Sequence, residues 1–560
     1  MSQPAPARPG ELPARRRREI ALVAALALLP QIPFLGNAFA LDAPVFLAVA
    51  RRILEAPLDP YGFHMLWDPT STFAAQFNRN PPLLSYYLAA WMALFGESEV
   101  LLHAALLPFP LLAALAFRGI ARRLAGEGLA PAALLVATPA FVVLAGEVLL
   151  DVPVLACWLL AFYALLRGQG EGGTRWQWLA GAAAAAAGLT KYVGFATAPL
   201  LAAGALLLYP ARRPAALGRL LGPPLVLWGL FCLATARLYG APHPLDASDV
   251  LLEGQAAAEL WNQLASVPVY YGAALLFPML LLARALLRGT RGGELAVLGV
   301  LLGTAAVTWV LPHGRPPRRV PLDAEEAVLG ALGFAGAFLL WARALSPRQL
   351  RAGAEAQLVW LWLVGLLAFS CLGNWHVNAA DALLAAPPVL LALFCDPALR
   401  PSRRAQVAWL AVMLPFSLLL AWAEARQANY YREGARRIAT EIGDQPGRRW
   451  FVGHWGLQYY LEREGFRPVP PTGLAPAELA VDDWVATARN VSQLEVARNL
   501  ARFEVRGVWT WSLEGGLPLR TTNGDAGAGF YSHHSGYLPF AFSRAPVERI
   551  ALGRVTAVRR

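Results

Sequence analysis

Two ionisable side chains of this sequence stand at places where they could do chemistry. Asp42 follows the first long apolar run, and Lys191, the single lysine of the 560 residues, stands between two later apolar runs. A positioned carboxylate can remove a proton from a hydroxyl or an amine, and a lysine ammonium is a compact charge suited to a phosphate oxygen. Ionisable groups beside hydrocarbon are costly, so we expect both residues to serve a function.

Two further stretches carry polar groups at the ends of apolar runs. Glu147 and Asp151 are four residues apart and would share one face if that segment is helical. Asn78, Arg79 and Asn80 precede two prolines and an aromatic, apolar run that we expect to lie in the membrane interface. These groups are candidates for holding a charged or hydroxylated substrate.

The same residues also have structural interpretations. Asp42 and Asp151 are each followed two residues later by proline, which suits an acid that caps a helix. The asparagines before the two prolines could simply end a loop. Lys191 is the hardest to explain in this way, because arginine is the cation at every other basic position.

The composition predicts the fold class. The chain is 57% hydrophobic and 15% charged, and apolar runs long enough to cross a bilayer recur up to about residue 425. We therefore predict an all-α polytopic membrane protein with about thirteen transmembrane helices and a C-terminal soluble α/β domain. The net charge of +11 does not indicate nucleic acid, because most arginine clusters lie in short loops between the runs.

The charge bias of the loops predicts the topology. Residues 1–18 form a basic cytoplasmic tail, residues 19–424 form the membrane domain with an outer loop at 37–100, and residues 425–560 form the soluble domain on the outer side. The polar candidates then share the outer face. They are Asp42, Asn78, Asn80, Glu147, Asp151, Lys191, His376 and Asp381.

One basic cluster breaks the charge rule. Arg315, Arg318 and Arg319 fall on the outer side in this topology, and an anionic ligand would explain their position. No metal-ligand spacing and no dinucleotide or phosphate-loop fingerprint is visible in the sequence, so we expect neither a metal nor a cofactor. The four cysteines lie in or beside apolar runs and are expected to be packing residues.

Four short stretches, taken in order, resemble the GT-C class of membrane glycosyltransferases. The resemblance is to the bacterial dolichyl-phosphate-mannose-protein mannosyltransferase-like group, glycosyltransferase family 39, and its relative the lipid A aminoarabinose transferase. Its motif content lies mainly in residues 35–200. The matching elements are the acid Asp42, "NPPL" at Asn80 with "LFG" at Leu94, "LDVP" around Asp151 and "LTKYVG" around Lys191.

The sequence departs from this group at identifiable positions. Ala43 stands where the group usually has a second acid, and Asn80 replaces a lysine or histidine. Asn80 can still form hydrogen bonds but carries no charge. Late in the chain His376 and Asp381 stand in a stretch where the group often has basic residues or a tyrosine. These differences concern the sugar and the acceptor more than the type of reaction.

The resemblance implies a polyprenyl-phosphate-linked sugar as donor and a lipid, protein or glycan as acceptor, at the outer face of the cytoplasmic membrane. Asp42 would be the general base of an inverting transfer, and Asp151 would hold the acceptor or orient a cation. Glu147 and Asp381 would have supporting roles. The donor phosphate and sugar would be bound by Lys191, Asn78, Arg79, Asn80, His376, Arg315, Arg318 and Arg319.

Two other functions stay open on the sequence alone. A transporter or flippase would also place polar groups among broken apolar runs, but it should show repeated halves, and no such symmetry is visible. A non-catalytic membrane protein of glycan assembly would explain why Ala43 and Asn80 depart from the resemblance. The soluble domain has no predicted task, and we expect most of its aromatic residues to form its core.

Overall fold

The computed structural model describes most of the chain. The described residues are 11–67, 71–170, 172–211, 213–245, 257–288, 291–307, 324–351, 353–374, 376–397, 399–470, 478–490, 500, 503–514 and 516–558. The predicted arginine cluster Arg315, Arg318 and Arg319 lies outside the described residues.

Helices dominate the described chain as far as residue 442. They are α1 (Glu11–Leu28), α2 (Ala43–Glu55), α3 (Ala74–Phe77), α4 (Leu83–Phe95), α5 (Glu99–Leu106), α6 (Pro108–Leu124), α7 (Leu129–Val136), α8 (Pro139–Ala145), α9 (Asp151–Arg167), α10 (Gly173–Thr190), α11 (Thr197–Leu208), α12 (Arg213–Tyr239), α13 (Ala257–Leu275), α14 (Phe277–Arg288), α15 (Arg291–Ala305), α16 (Ala324–Ala344), α17 (Pro347–Arg351), α18 (Ala354–Ala368), α19 (Ala379–Cys395) and α20 (Arg403–Ile442).

The protein is a multi-pass membrane protein, as predicted. Among the described residues five helices are long and apolar enough to cross a membrane, or six if one bent pair counts as a single span. The five are Glu99–Leu124, Arg213–Tyr239, Ala324–Ala344, Ala354–Gly373 and Arg403–Ile442. The predicted count of about thirteen is not confirmed.

Breaks within apolar runs explain part of the difference. The apolar run at residues 267–287 belongs to two helices that meet at an angle of 89°. Leu276 at this break has a φ of 62°, a backbone conformation that leucine seldom adopts. The apolar run at residues 131–146 is likewise divided, at Thr138 and Pro139, into α7 and α8. Hydropathy does not register such breaks, because the residues on both sides stay apolar.

Helix α20 joins the membrane-spanning part to the soluble part. It has 40 residues and so rises about 60 Å, twice the hydrocarbon thickness of a bilayer. The predicted domain boundary between residues 424 and 425 falls inside this helix. Its C-terminal half carries the soluble domain, since Tyr431 donates a hydrogen bond of 2.7 Å to Glu548 of the sheet.

The soluble domain is built on a five-stranded mixed sheet, which confirms the predicted α/β class. Its order is β2 (Arg467–Pro468), β1 (Arg449–Val452), β3 (Trp484–Ala488), β9 (Glu548–Val558) and β4 (Phe503–Leu513). Strand β1 runs parallel to β2 and β3, whereas β9 is antiparallel to β3 and β4.

The described residues of the soluble domain also form two short strand pairs and an α-helix after β1. The pairs are β5 (Leu519–Arg520) with β8 (Ala541–Phe542), and β6 (Thr522–Asn523) with β7 (Ala528–Gly529). Gly453, at a φ of 120°, allows the turn from β1 into α21 (Trp455–Arg463).

Candidate active site

Asp42 stands at the start of α2, where the chain is under local strain. Leu41 has a φ of 52°, which costs a leucine about 1 kcal/mol or more and must be held by surrounding structure. Asp42 occupies the capping position of α2 but accepts no hydrogen bond from that helix. The capping interpretation therefore does not account for its carboxylate.

Asp42 is solvent-exposed, and yet protein lies close enough to its carboxyl group for desolvation to matter. Burial raises the pKa of Asp42 to about 6, while the Lys191 charge acts in the opposite direction and Asp151 adds to the rise. Among the described residues no hydrogen-bond donor is assigned to this carboxylate, so it is available to a ligand.

Lys191 and Asp151 form an ion pair beside Asp42. The Lys191 Nζ lies 2.6 Å from the Asp151 Oδ1, and the two side chains are 31% and 11% exposed. Asp151 is the first residue of α9, and the capping position of that helix is Leu150. The Asp151 carboxylate accepts a hydrogen bond from Lys191 and does not cap the helix. The charge of Lys191 also acts on Asp42 and on Asp381.

A tight turn presents Lys191. Helix α10 ends at Thr190, Lys191 is extended, and a 3-10 helix (Tyr192–Ala196) follows at once. Gly194 donates a hydrogen bond of 2.8 Å to the Lys191 carbonyl and packs directly on the Ala187 carbonyl, where a Cβ would overlap it. The glycine thus allows the chain to fold back with the lysine at its tip.

Asp381 is partly committed to its own helix. Its Oδ2 accepts hydrogen bonds from Asn374 Nδ2 at 3.0 Å and from the Asn378 backbone at 3.1 Å, which forms a capping box for α19. His376 lies just before this cap, and its ring interacts with the Lys191 charge. Both predicted residues therefore flank the lysine, with Asp381 held in place by its neighbours.

The asparagine pair lies on the far side of the same lysine turn. Asn78 accepts a hydrogen bond of 3.1 Å from the Asn80 backbone, and the Asn80 carbonyl accepts one of 2.7 Å from Tyr61. Tyr61 stacks on His243 at 4.5 Å, and that ring is hydrogen-bonded to Tyr192, the neighbour of Lys191. The three predicted residues Asn78, Arg79 and Asn80 are buried or half-buried there.

Glu147 occupies a different position from the one its spacing suggested. Helix α8 ends at Ala145 and α9 begins at Asp151, so Glu147 lies in the turn between them and not on a common helical face. It is buried, and its carboxylate neighbour is Glu424 of α20. Glu424 accepts a hydrogen bond from Thr521 of the soluble domain.

A segment of the soluble domain reaches this region, which the sequence did not reveal. The docking segment, residues 528–538, pairs with the start of α19: Ala379 donates to the Phe530 carbonyl at 2.9 Å, and His533 exchanges two hydrogen bonds with Val377. Tyr270 of α13 donates to two carbonyls of the same segment. Its glycines predict a tight turn, but no local pattern states where that turn docks.

Comparison with known proteins agrees with the resemblance seen in the sequence. Residues 79–239 match the family model described as dolichyl-phosphate-mannose-protein mannosyltransferase. The matched stretch contains Asn80, Asp151 and Lys191 and ends well after the lysine turn. No curated protein matches the chain by sequence.

Two solved structures match this chain at low sequence identity. One is ArnT from Cupriavidus metallidurans in the apo state, with 17% identity, a TM-score of 0.44, and coverage of 89% of this chain and 96% of that one. Another is the oligosaccharyltransferase AglB from Archaeoglobus fulgidus, in complex with an inhibitory peptide and a dolichol-phosphate, with 13% identity, a TM-score of 0.48, and coverage of 84% and 69%. The predicted resemblance is confirmed: residues 79–239 of this membrane protein match a GT-C glycosyltransferase family.

Proposed function

We propose that this protein is an integral-membrane glycosyltransferase that moves a sugar from a polyprenyl-phosphate donor to an acceptor at the outer face of the cytoplasmic membrane. The observation that carries the proposal is the arrangement of Asp42, an exposed carboxylate that does not cap its helix, near the Lys191–Asp151 ion pair. The matching family model supports the donor class, because its description names a lipid phosphate as the carrier of the sugar.

Asp42 is the general base of the proposed reaction. Its carboxylate takes the proton from an acceptor hydroxyl or amine as that atom attacks the anomeric carbon. The bond from the anomeric carbon to the phosphate oxygen breaks on the opposite face, and the polyprenyl phosphate leaves with the bonding electron pair. The configuration inverts, and no second carboxylate is needed because a phosphate leaves without being protonated.

Lys191 meets the charge that develops on the leaving phosphate. The lysine donates a hydrogen bond to Asp151, which holds its ammonium group in a fixed position. Little reorganisation is therefore needed when the donor binds. In this proposal Asn78, Arg79, Asn80 and His376 contact the sugar or the phosphate. Arg315, Arg318 and Arg319 remain proposed as a second source of positive charge.

The proposed topology follows the loop charges. Residues 1–18 lie in the cytoplasm, residues 19–424 form the membrane domain and residues 425–560 lie on the periplasmic side. The proposed chemistry uses no metal ion and no cofactor, because a carboxylate base and an ammonium suffice for it. The acceptor is a lipid, a protein or a glycan, and the transferred unit is a hexose or a pentose.

The test is sugar transfer by the full-length protein in lipid. A panel of radiolabelled polyprenyl-phosphate sugars is offered with a membrane extract as the source of acceptors, for wild type, Asp42→Asn, Lys191→Ala and the surface control Asp444→Asn. We expect label to leave the carrier with wild type and the control, and to do so at least about 100-fold more slowly with Asp42→Asn. Label that stays on the carrier with wild type, across the whole panel, would overturn the proposal.

A further inference from the structure

We infer that helix α21 of the soluble domain positions Asp42 for catalysis through two adjacent tyrosines, Tyr459 and Tyr460. The inference rests on the proposed role of Asp42 and assigns the soluble domain a part in it. Tyr460 holds the chain just before Asp42, and Tyr459 holds the helix that begins after it.

The segment before Asp42 is held by two hydrogen bonds from its backbone to side chains of residues 425–560. The Phe39 backbone donates a hydrogen bond of 2.8 Å to the Tyr460 hydroxyl, which in turn donates to Glu99 at 3.0 Å. One residue earlier, the Ala38 backbone donates to Asn429 of α20 at 2.9 Å. Two consecutive main-chain donors of a loop are thus satisfied by side chains that lie far away in sequence.

The helix after Asp42 is held by a second chain of contacts. Arg51 of α2 donates to Glu97 at 2.9 Å, and Tyr459 donates to the same carboxylate at 2.8 Å. Arg463, one turn further along α21, donates to the Tyr459 hydroxyl at 2.7 Å. Because Arg51 lies on the helix that Asp42 begins, this chain fixes the direction in which α2 leaves the site.

The first turn of α21 also touches the loop directly. Gly456 packs on the Phe39 carbonyl so closely that a Cβ would overlap that oxygen, and the same Cβ would lie 3.4 Å from the Ala40 Cα. The preceding residue, Trp455, has a φ of 59°, and Leu41 has a φ of 52°. Two strained residues on facing segments persist only where the surrounding contacts determine the backbone, and such strain is found at functional sites.

These contacts matter for rate because a general base must meet its proton within hydrogen-bond reach. A displacement of about 1 Å can cost a factor of about 100 in rate without changing how tightly substrate binds. Tyr460 and Tyr459 touch no reacting atom in the proposed reaction. They are positioning residues, and they should affect kcat rather than the donor KM.

The experiment compares three variants of the full-length protein in lipid, with the donor that wild type uses. Tyr460→Phe removes the hydroxyl that accepts from Phe39, and Gly456→Ala pushes the loop. Tyr431→Phe is the matched control, because it removes a buried tyrosine hydroxyl of the soluble domain that bonds Glu548 instead. We expect kcat to fall at least tenfold in the first two, with the donor KM within about twofold, and to stay near wild type in the control.

A second comparison separates positioning from a loss of folding. Tyr460→Phe is combined with Asp42→Asn, and we expect no further loss of residual rate, because the tyrosine acts through the carboxylate. Equal losses in Tyr460→Phe and the control, or a further loss in the double variant, would overturn the inference. Wild type that transfers no sugar defeats the proposed function instead, so the two failures are distinguishable.

Discussion

Sugar transfer should lose rate below about pH 6, because the proposed base must be deprotonated and burial raises the pKa of Asp42 to about 6. For a single titrating base of that pKa, about 90% is active at pH 7 and about 10% at pH 5. We therefore expect kcat/KM for the donor to fall about tenfold between these two values. The donor phosphodiester stays ionised throughout, so it adds no titration of its own.

Two neighbouring charges should shift the pH at which the rate falls, the acid limb of the pH–rate profile, in opposite directions. The Lys191 ammonium lowers the pKa of Asp42, so Lys191→Ala should move the limb to higher pH, in addition to slowing transfer. Asp151 raises that pKa, so Asp151→Asn should move the limb to lower pH. The assay is the initial rate of label transfer at limiting donor from pH 4.5 to 8. A limb that stays in place in both variants, or moves the same way in both, would refute the role of Asp42.

Three further predictions concern the elements that hold the site. Gly194→Ala drives a Cβ into the Ala187 carbonyl and should destabilise the protein by about 1–3 kcal/mol, which thermal unfolding would measure. The same change should displace Lys191 and weaken donor binding, which would raise the donor KM. Tyr270→Phe leaves two carbonyls of the docking segment without their hydrogen-bond donor and should lower the free energy of unfolding by about 1–3 kcal/mol. Proteolysis within residues 528–538 should become faster. An unchanged cleavage rate would contradict the docking. Asp381→Ala removes the capping box of α19 and should lower the unfolding midpoint by an amount corresponding to about 0.5–2 kcal/mol, whereas Asp381→Asn should lower it less.

Local patterns were enough to predict the class of the protein and the residues of interest. The apolar runs indicate a polytopic membrane protein, because a hydrocarbon-spanning helix must satisfy its own backbone and therefore leaves a clear composition signal. The single lysine and the acid after the first apolar run could be identified as candidate functional residues from their residue types alone.

The number of spans was not readable in the same way. A break such as the one at Leu276 changes the direction of the chain without changing its hydropathy, so the composition of the run stays the same on both sides. The shared helical face proposed for Glu147 and Asp151 failed for a related reason. The turn at residues 146–150 is decided by packing against α20 and the soluble domain, which a window of sequence does not contain.

The amino-acid sequence therefore reveals which chemical groups are available: one lysine, a few carboxylates at the ends of apolar runs, and a soluble domain after them. Which of these groups meet is set at the level of the tertiary structure. Lys191 and Asp151 are 40 residues apart in the chain, and the contacts that hold the Asp42 loop join residues about 400 positions apart. Such pairings depend on how whole helices pack. The packing energy that selects them is distributed over the entire core and does not reside in either residue.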